Sequence, residues 1–378
     1  MGSKRKMEEH KIKINLIGGF FGQDGYAAHT RQMAKALYAL GSDITLDTQV
    51  MPGWEQQATN DEYTIITKCL QSKDQHERVH ILIGQPHFWP LYWGRPNKGF
   101  IGFLIFEGSK TPSGWTEICN SDNVDAIFVP SEHVKDACIA GGITAEKLFI
   151  IPEGVNTDLF KPGQGLPEIA MPNTFTFLFN KGWVQGKRDR SGLDITIEAF
   201  CETFLNDPNV RLIIKTNEAY GNPINEINEI LVKYQNRKCP VHIISKNVPY
   251  DKLPLLYNSA NAFICPTKAE GFGLNIAEAM ACSLPIIVTG YGGHMDFVKD
   301  HAYLIDYTMI PATDNAKQYE EAEWAMPNKE SLKNSMQHII NDPDRFLRAE
   351  NGLRKIQKEF QWQHAAEKFI AALNKIYA

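Results

Sequence analysis

Short apolar runs alternate with amphipathic stretches along the whole chain. The first set of runs is KINLI, DITLD, VHILIG, FIGFLIF, DAIFVP and KLFIIP. After residue 174 the rhythm resumes with TFTFLFN, VRLIIKT, VHIIS, NAFICP, LPIIVTG and YLID. Most are apolar throughout, as strands buried on both faces are. Helical patterns such as YAAHTRQMAKALYALG separate several of them. Strands and helices in this alternation predict parallel sheets covered on both sides.

The two sets are divided by KPGQGLPEIAMPN, a Pro- and Gly-rich stretch that reads as a linker. The expected architecture is α/β, with two Rossmann-like domains joined near residues 161–174. The final segment, WQHAAEKFIAALNKIYA, is amphipathic and stands apart from the strands, so it can pack on either domain.

Composition narrows the function. The chain has 378 residues, 43% of them apolar, enough for two ordinary cores. Its formal charge is −5, with both signs spread along it, which argues against a nucleic-acid partner or a polybasic membrane anchor. Seven cysteines occur singly and read as reduced thiols of a cytoplasmic protein. The start has no apolar stretch of about 7–15 residues before small ones, so no secretion signal is expected. No run of about 18 apolar residues predicts a transmembrane span, which leaves peripheral membrane contact open.

The stretch richest in chemistry is EGFGLNIAEAM, residues 270–280. It follows the strand NAFICP. Gly271 and Gly273 let backbone approach a ligand closely, and a helix starting near Leu274 or Asn275 offers unpaired N–H groups to a phosphate. Glu270 and Glu278 need another partner, and a vicinal diol of a sugar suits a carboxylate that accepts two hydrogen bonds. An alternative reading makes Asn275 and Glu278 a capping box.

Glu270 and Glu278, with seven residues between them, resemble the E-x7-E signature of retaining GT-B glycosyltransferases of family 4. The resemblance extends over most of the chain. IPEGVNTDLF (151–160) is similar to the family's segment before the interdomain linker, with Glu153 where Asn is usual. GYGGHMDFV (290–298) resembles its Gly-Gly turn, and EWAMPNKESL (323–332) its late Trp–Pro segment.

The resemblance implies a GT-B fold, two Rossmann-like domains with parallel sheets facing across a cleft. Residues 1–165 would form the acceptor domain and 170–358 the donor domain, with a helix at about 360–378 crossing back to the first. It also implies that Glu278 holds the ribose of a nucleotide, Glu270 holds the donor sugar, and amides from Gly271 and Phe272 through Gly273 to Leu274 cradle phosphate or sugar.

The basic loop NKGWVQGKRDRSGLD (180–194) leaves the strand TFTFLF, where open α/β sheets bind ligands. By the resemblance, Arg190 and Lys187, then Lys181 and Arg188, neutralise a diphosphate leaving group; otherwise the loop is a solvated basic run. Trp183 stands where the family commonly has Arg. In GGFFGQDGYAAHTRQMAKAL (18–37) the GxGxxG fingerprint is absent, so no dinucleotide cofactor is expected. Family likeness makes Gly25 a diphosphate contact. Tyr26 and His29 are candidates for the acceptor, although His29 reads first as a helix-face residue. In FLIFEGSKTPSGW (103–115) Glu107 replaces the family's sugar-pocket His.

Two motif matches carry no weight. HERVH (76–80) spells HExxH, but its second half reads as a strand, where the two His cannot share a helix face. Asp342-Pro-Asp344 spells D-x-D at a helix start and reads as capping. No metal site is expected.

The expected activity is therefore metal-independent transfer of a sugar, with retention, from a nucleotide-diphosphate donor to a glycan, a lipid-linked acceptor or a small molecule. Retention follows from double displacement through a carboxylate nucleophile or from same-face attack. With no nucleophile evident, same-face attack is favoured and Glu270 positions the sugar. A non-catalytic nucleotide or sugar binder, or a sugar-nucleotide epimerase or phosphorylase of the same fold, is the alternative. An oxidoreductase would need the missing glycine fingerprint.

Overall fold

The computed structural model describes residues 12–22, 25–48, 58, 60–70, 75–182, 189–218, 223–313 and 318–377. The first part of the chain runs β1 (Lys13–Gly18), α1 (Gly25–Ala39), β2 (Ile44–Thr48), α2 (Asn60–Cys69), β3 (Arg78–Ile83), β4 (Gly99–Phe103), α3 (Ser113–Asn120), β5 (Ala126–Val129), α4 (Glu132–Ala140) and β6 (Leu148–Ile150).

The second part begins β7 (Phe175–Asn180), α5 (Leu193–Phe204), β8 (Val210–Lys215), α6 (Pro223–Leu231), β9 (Val241–Ile244), α7 (Leu253–Tyr257) and β10 (Ala262–Cys265). It continues α8 (Leu274–Ala281), β11 (Ile286–Thr289), α9 (Met295–Val298) and β12 (Ala302–Ile305). A hairpin of β13 (Tyr307–Pro311) and β14 (Glu323–Pro327) precedes α10 (Lys329–Asn341), α11 (Arg345–Glu359) and α12 (Trp362–Tyr377).

Each of the twelve apolar runs overlaps one of the strands β1 to β12. They form two six-stranded sheets, ordered β2-β1-β3-β4-β5-β6 and β12-β11-β10-β7-β8-β9. Every pair in the second sheet is parallel. The α/β expectation holds. In the second sheet the chain builds outward from β7 to β9, then returns to place β10 on the other side of β7. That reversal leaves the carboxyl ends of β7 and β10 splayed, the place where such sheets bind ligands.

Alternation along β7 sets two cores. Phe177 and Phe179 enter one cluster with Ile197, Phe200 and Phe204 of α5. Leu178 enters the other, with Tyr257 of α7 and Ile276, Ala277 and Met280 of α8. Strand side chains alternate between faces, so both are covered. Burying each such side chain stabilises the fold by about 1.5–3 kcal/mol.

Contacts divide the chain into two compact units. One comprises residues 1–104, 118–128 and 365–378, the other 105–117 and 129–364. Within the first, Phe369 of α12 packs edge-on against Phe128 at 5.1 Å, and Tyr377 donates to Asp125 at 2.7 Å. Arg31, buried on α1, donates to the carbonyls of Phe20 and Gly22 at 2.8 Å each and so fixes the loop after β1. All seven cysteines are buried thiols. Among the described residues, no helix is long and apolar enough to cross a membrane.

Candidate functional site

The site is built where β7 and β10 leave the sheet. After Cys265 the chain turns through 266–273 before α8 begins, and the turn is tied back to residues 189–190. Lys268 N donates to Arg190 O at 2.8 Å, and Lys268 Nζ to Asp189 O at 2.9 Å. Two glycines are structurally required. Gly273, just before α8, has φ +98°, where a side chain is strained. A Cβ on Gly271 would lie 2.7 Å from Cγ2 of Ile105.

Four charged side chains meet at this turn. Glu270 is only 8% exposed. The Lys181 ammonium forms an ion pair with its Oε1 and also donates to Thr267 Oγ1 at 2.8 Å. Arg190 Nη1 lies 3.5 Å from the same Oε1 and donates to Ala269 O at 3.0 Å. On its other side, Arg190 Nη2 donates to Glu107 Oε1 at 2.9 Å, while Tyr319 donates its hydroxyl to Glu107 Oε2.

Burial alone would raise the Glu270 pKa, but Lys181 and Arg190 bring it down to about 2. Glu270 is thus a fixed anion across the neutral range. Burial likewise works against the Arg190 charge, and Glu107 and Glu270 more than offset it. The cluster has two cations, two carboxylates and a side chain of Arg190 that remains 27% exposed.

Glu278 sits one turn into α8 in a different setting. It is buried, and its Oε2 accepts from the Tyr257 hydroxyl at 2.9 Å. Asn180 Nδ2 in turn donates to the Tyr257 oxygen at 3.0 Å. Burial pushes the Glu278 pKa up to about 8; Tyr257 and Tyr250 pull it down, and Glu153 adds to the rise. Glu278 is an acid at neutral pH where Glu270 is an anion. The capping-box alternative fails, because Gly273 precedes α8 without a side-chain cap and Asn275 donates instead to Asn180 O at 2.8 Å.

The remaining candidates are placed as follows. Leu274 is the first residue of α8, where the N–H groups of Ile276 and Ala277 donate to Gly273 O at 3.0 and 3.1 Å. Phe272 is a core residue, with its ring 5.0 Å from Phe297. Gly25 and Tyr26 begin α1 in the other unit, Gly25 exposed and Tyr26 half-buried. His29 is fully buried, edge-on to Phe103 at 4.4 Å. Lys187 and Arg188 lie outside the described residues.

HERVH does not lie on a helix, since β3 begins at Arg78. Asp342 ends α10 and accepts from Asp344 N at 2.9 Å, so that pair shapes a turn between helices. Sequence reasoning missed Tyr257, Thr267 and Tyr319. Their partners lie between 3 and 212 positions away. It quoted His294 without a role; the side chain is buried beside Gly273 and hydrogen-bonds Thr289 O at 2.8 Å.

Comparison with known proteins gives this geometry relatives. Residues 188–344 match the model of the family described as glycosyl transferases group 1. The alpha-maltose-1-phosphate synthase of Mycolicibacterium smegmatis is 21% identical over 306 residues, covering 79% of this chain and 75% of that one. The D-inositol 3-phosphate glycosyltransferase 1 of Catenulispora acidiphila is 22% identical, over 78% of this chain and 68% of its own. Among solved structures, sucrose-phosphate synthase from Thermosynechococcus elongatus superposes with TM-score 0.73 at 18% identity, covering 97% of this chain and 99% of that one. Anabaena HepE, solved in complex with UDP-glucose, gives 0.70 at 16% identity, over 96% of this chain and all of its own. The chain has the GT-B fold, and its residues 188–344 match the group 1 glycosyltransferase model.

Proposed function

We propose that the chain transfers a sugar from a nucleoside-diphosphate donor to a hydroxyl acceptor, with retention and without a metal. The observation that carries this reading is the convergence of Lys181 and Arg190 on Glu270, at the splayed ends of β7 and β10. Departure of a nucleoside diphosphate builds negative charge on phosphate, and two fixed cations beside a helix start supply the compensation. HepE, a structural neighbour, has been solved with UDP and with UDP-glucose, which supports a nucleotide-sugar donor.

In the proposed step the bond from the anomeric carbon to the phosphate oxygen breaks, and its electron pair leaves on phosphate. The acceptor oxygen bonds to the same face of that carbon, and its proton passes to the departing phosphate. Glu270 orients the sugar hydroxyls; held at about 2, its pKa is far too low for a general base near neutrality. Glu278 receives the ribose diol. Amides from Gly271 to Leu274 face phosphate or sugar. Lys187 and Arg188 add charge from the adjoining segment. Tyr26 belongs to the acceptor side, where a glycan, a lipid-linked saccharide or a small alcohol is received; His29, fully buried against Phe103, is a core residue. Seven buried thiols favour a reducing, cytoplasmic setting.

The test is the melting temperature in the presence of UDP, GDP, ADP, CDP or dTDP. A ligand at 100 times its Kd stabilises by about 2.7 kcal/mol, enough to move the midpoint by a few degrees. A shift with one nucleotide names the donor base, and sugar transfer from that nucleotide's sugars completes the assignment. Folded protein that responds to none removes the donor site from this chain.

A further inference from the structure

The hairpin β13–β14 played no part in the expected site, yet its connecting arm reaches the charged cluster. Tyr319 lies in that arm. Its ring is stacked on Phe106 at 5.1 Å and 28° and rests 5.4 Å from Trp324. These contacts fix the ring, and its hydroxyl donates to Glu107 Oε2.

The arm is also fastened to the segment that carries Glu107. Glu321 pairs with Lys110 at 3.0 Å and accepts from Ser113 N at 2.8 Å, and Glu323 N donates to Ser109 Oγ at 2.8 Å. Glu107 is 7% exposed, and both its oxygens are engaged, one by Tyr319 and the other by Arg190. A carboxylate so occupied does not serve as a sugar ligand. It serves as a bracket.

We propose that Tyr319 is a positioning residue for sugar transfer, which acts through Glu107 to direct the Arg190 guanidinium toward the donor diphosphate. This rests on the donor reading given above. With the hydroxyl present, Glu107 shares its charge between Tyr319 and Arg190, and the other arm of the guanidinium stays on the Glu270 side. Without it, Glu107 turns its freed oxygen onto Arg190, because a buried carboxylate oxygen left without a donor is costly. Paired at both oxygens, the guanidinium is drawn away from the phosphates.

The substitution Tyr319→Phe keeps the ring and removes only the hydroxyl. The readout is the ratio of affinities for UDP and UMP, or for the matching pair of whichever base the wild type binds, since the ratio reports the grip on the second phosphate. Tyr319→Phe should lower the ratio about tenfold, the scale of one charge-assisted hydrogen bond, with UMP affinity unchanged. In an Arg190→Lys background the same substitution should lower it no further. An unchanged ratio in Tyr319→Phe overturns the inference. So does an equal drop in the Arg190→Lys background, or a fall in melting temperature of more than about 5 °C, because either assigns Tyr319 to structure alone. Wild type that binds none of the five nucleoside diphosphates overturns the donor reading, and this inference with it.

Discussion

Tyr257 donates its hydroxyl to Glu278 at 2.9 Å, and both side chains are buried. The hydrogen bond favours the carboxylate, but burial wins and places the pKa at about 8. A group proposed to accept two hydrogen bonds from a ribose therefore starts as an acid. It must release its proton when the nucleotide arrives.

Nucleotide binding should then tighten as pH rises from 6.5 to 8.5, by about tenfold or more, because the ionised form becomes available. Glu278→Gln should bind with little pH dependence and more weakly than wild type at pH 8.5. Titration calorimetry in two buffers of different ionisation enthalpy would show the released proton directly. Binding that is flat with pH in wild type would take the diol away from Glu278.

The two glutamates should also give the ligand-free protein opposite pH responses. Glu278 has its folded pKa raised to about 8, above the ordinary 4.5, so its contribution is complete below 4.5 and is lost as pH climbs toward 8. Glu270 has its folded pKa lowered to about 2, so its contribution is present above 4.5 and is lost as pH falls toward 2. Glu278→Gln should flatten the decline in melting temperature between pH 4.5 and about 8. Glu270→Gln should remove part of the acid decline and cost about 3 kcal/mol at pH 7, because it strands Lys181 and Arg190. Parallel melting curves for wild type and variants across both ranges would contradict this.

Lys181 is proposed to compensate the charge of a leaving phosphate. Lys181→Ala should lower turnover by about 10²- to 10³-fold, the scale of losing one preorganised electrostatic partner. Because the proposed compensation comes from side chains, wild-type turnover should persist in excess chelator. A complete loss in chelator, restored by Mg²⁺ or Mn²⁺, would assign that role to a metal.

The sheets were legible because their signal is local. VRLIIK and NAFIC carry their burial in adjacent letters, and parallel strands covered on both faces leave continuous apolar runs. The hairpin was not legible. Tyr307, Thr308 and Met309 are exposed, so β13 shows no apolar run of the kind that marks buried strands. In the site, the spacing of Glu270 and Glu278 could be read from the chain, but their opposite charge states could not. Lys181 lies 89 positions from Glu270, and Tyr257 lies 21 from Glu278. The pKa values follow from those neighbours and from burial, which folding alone assembles.

The seven cysteines have a practical consequence. Each thiol is enclosed, so in the native state the chain presents no ready target to a bulky alkylating reagent. Thiol modification becomes a clock for opening of the structure, with Cys265 and Cys282 reporting from either side of α8. A single cysteine introduced at an exposed position would then carry a fluorophore against a silent background, without removal of any native thiol.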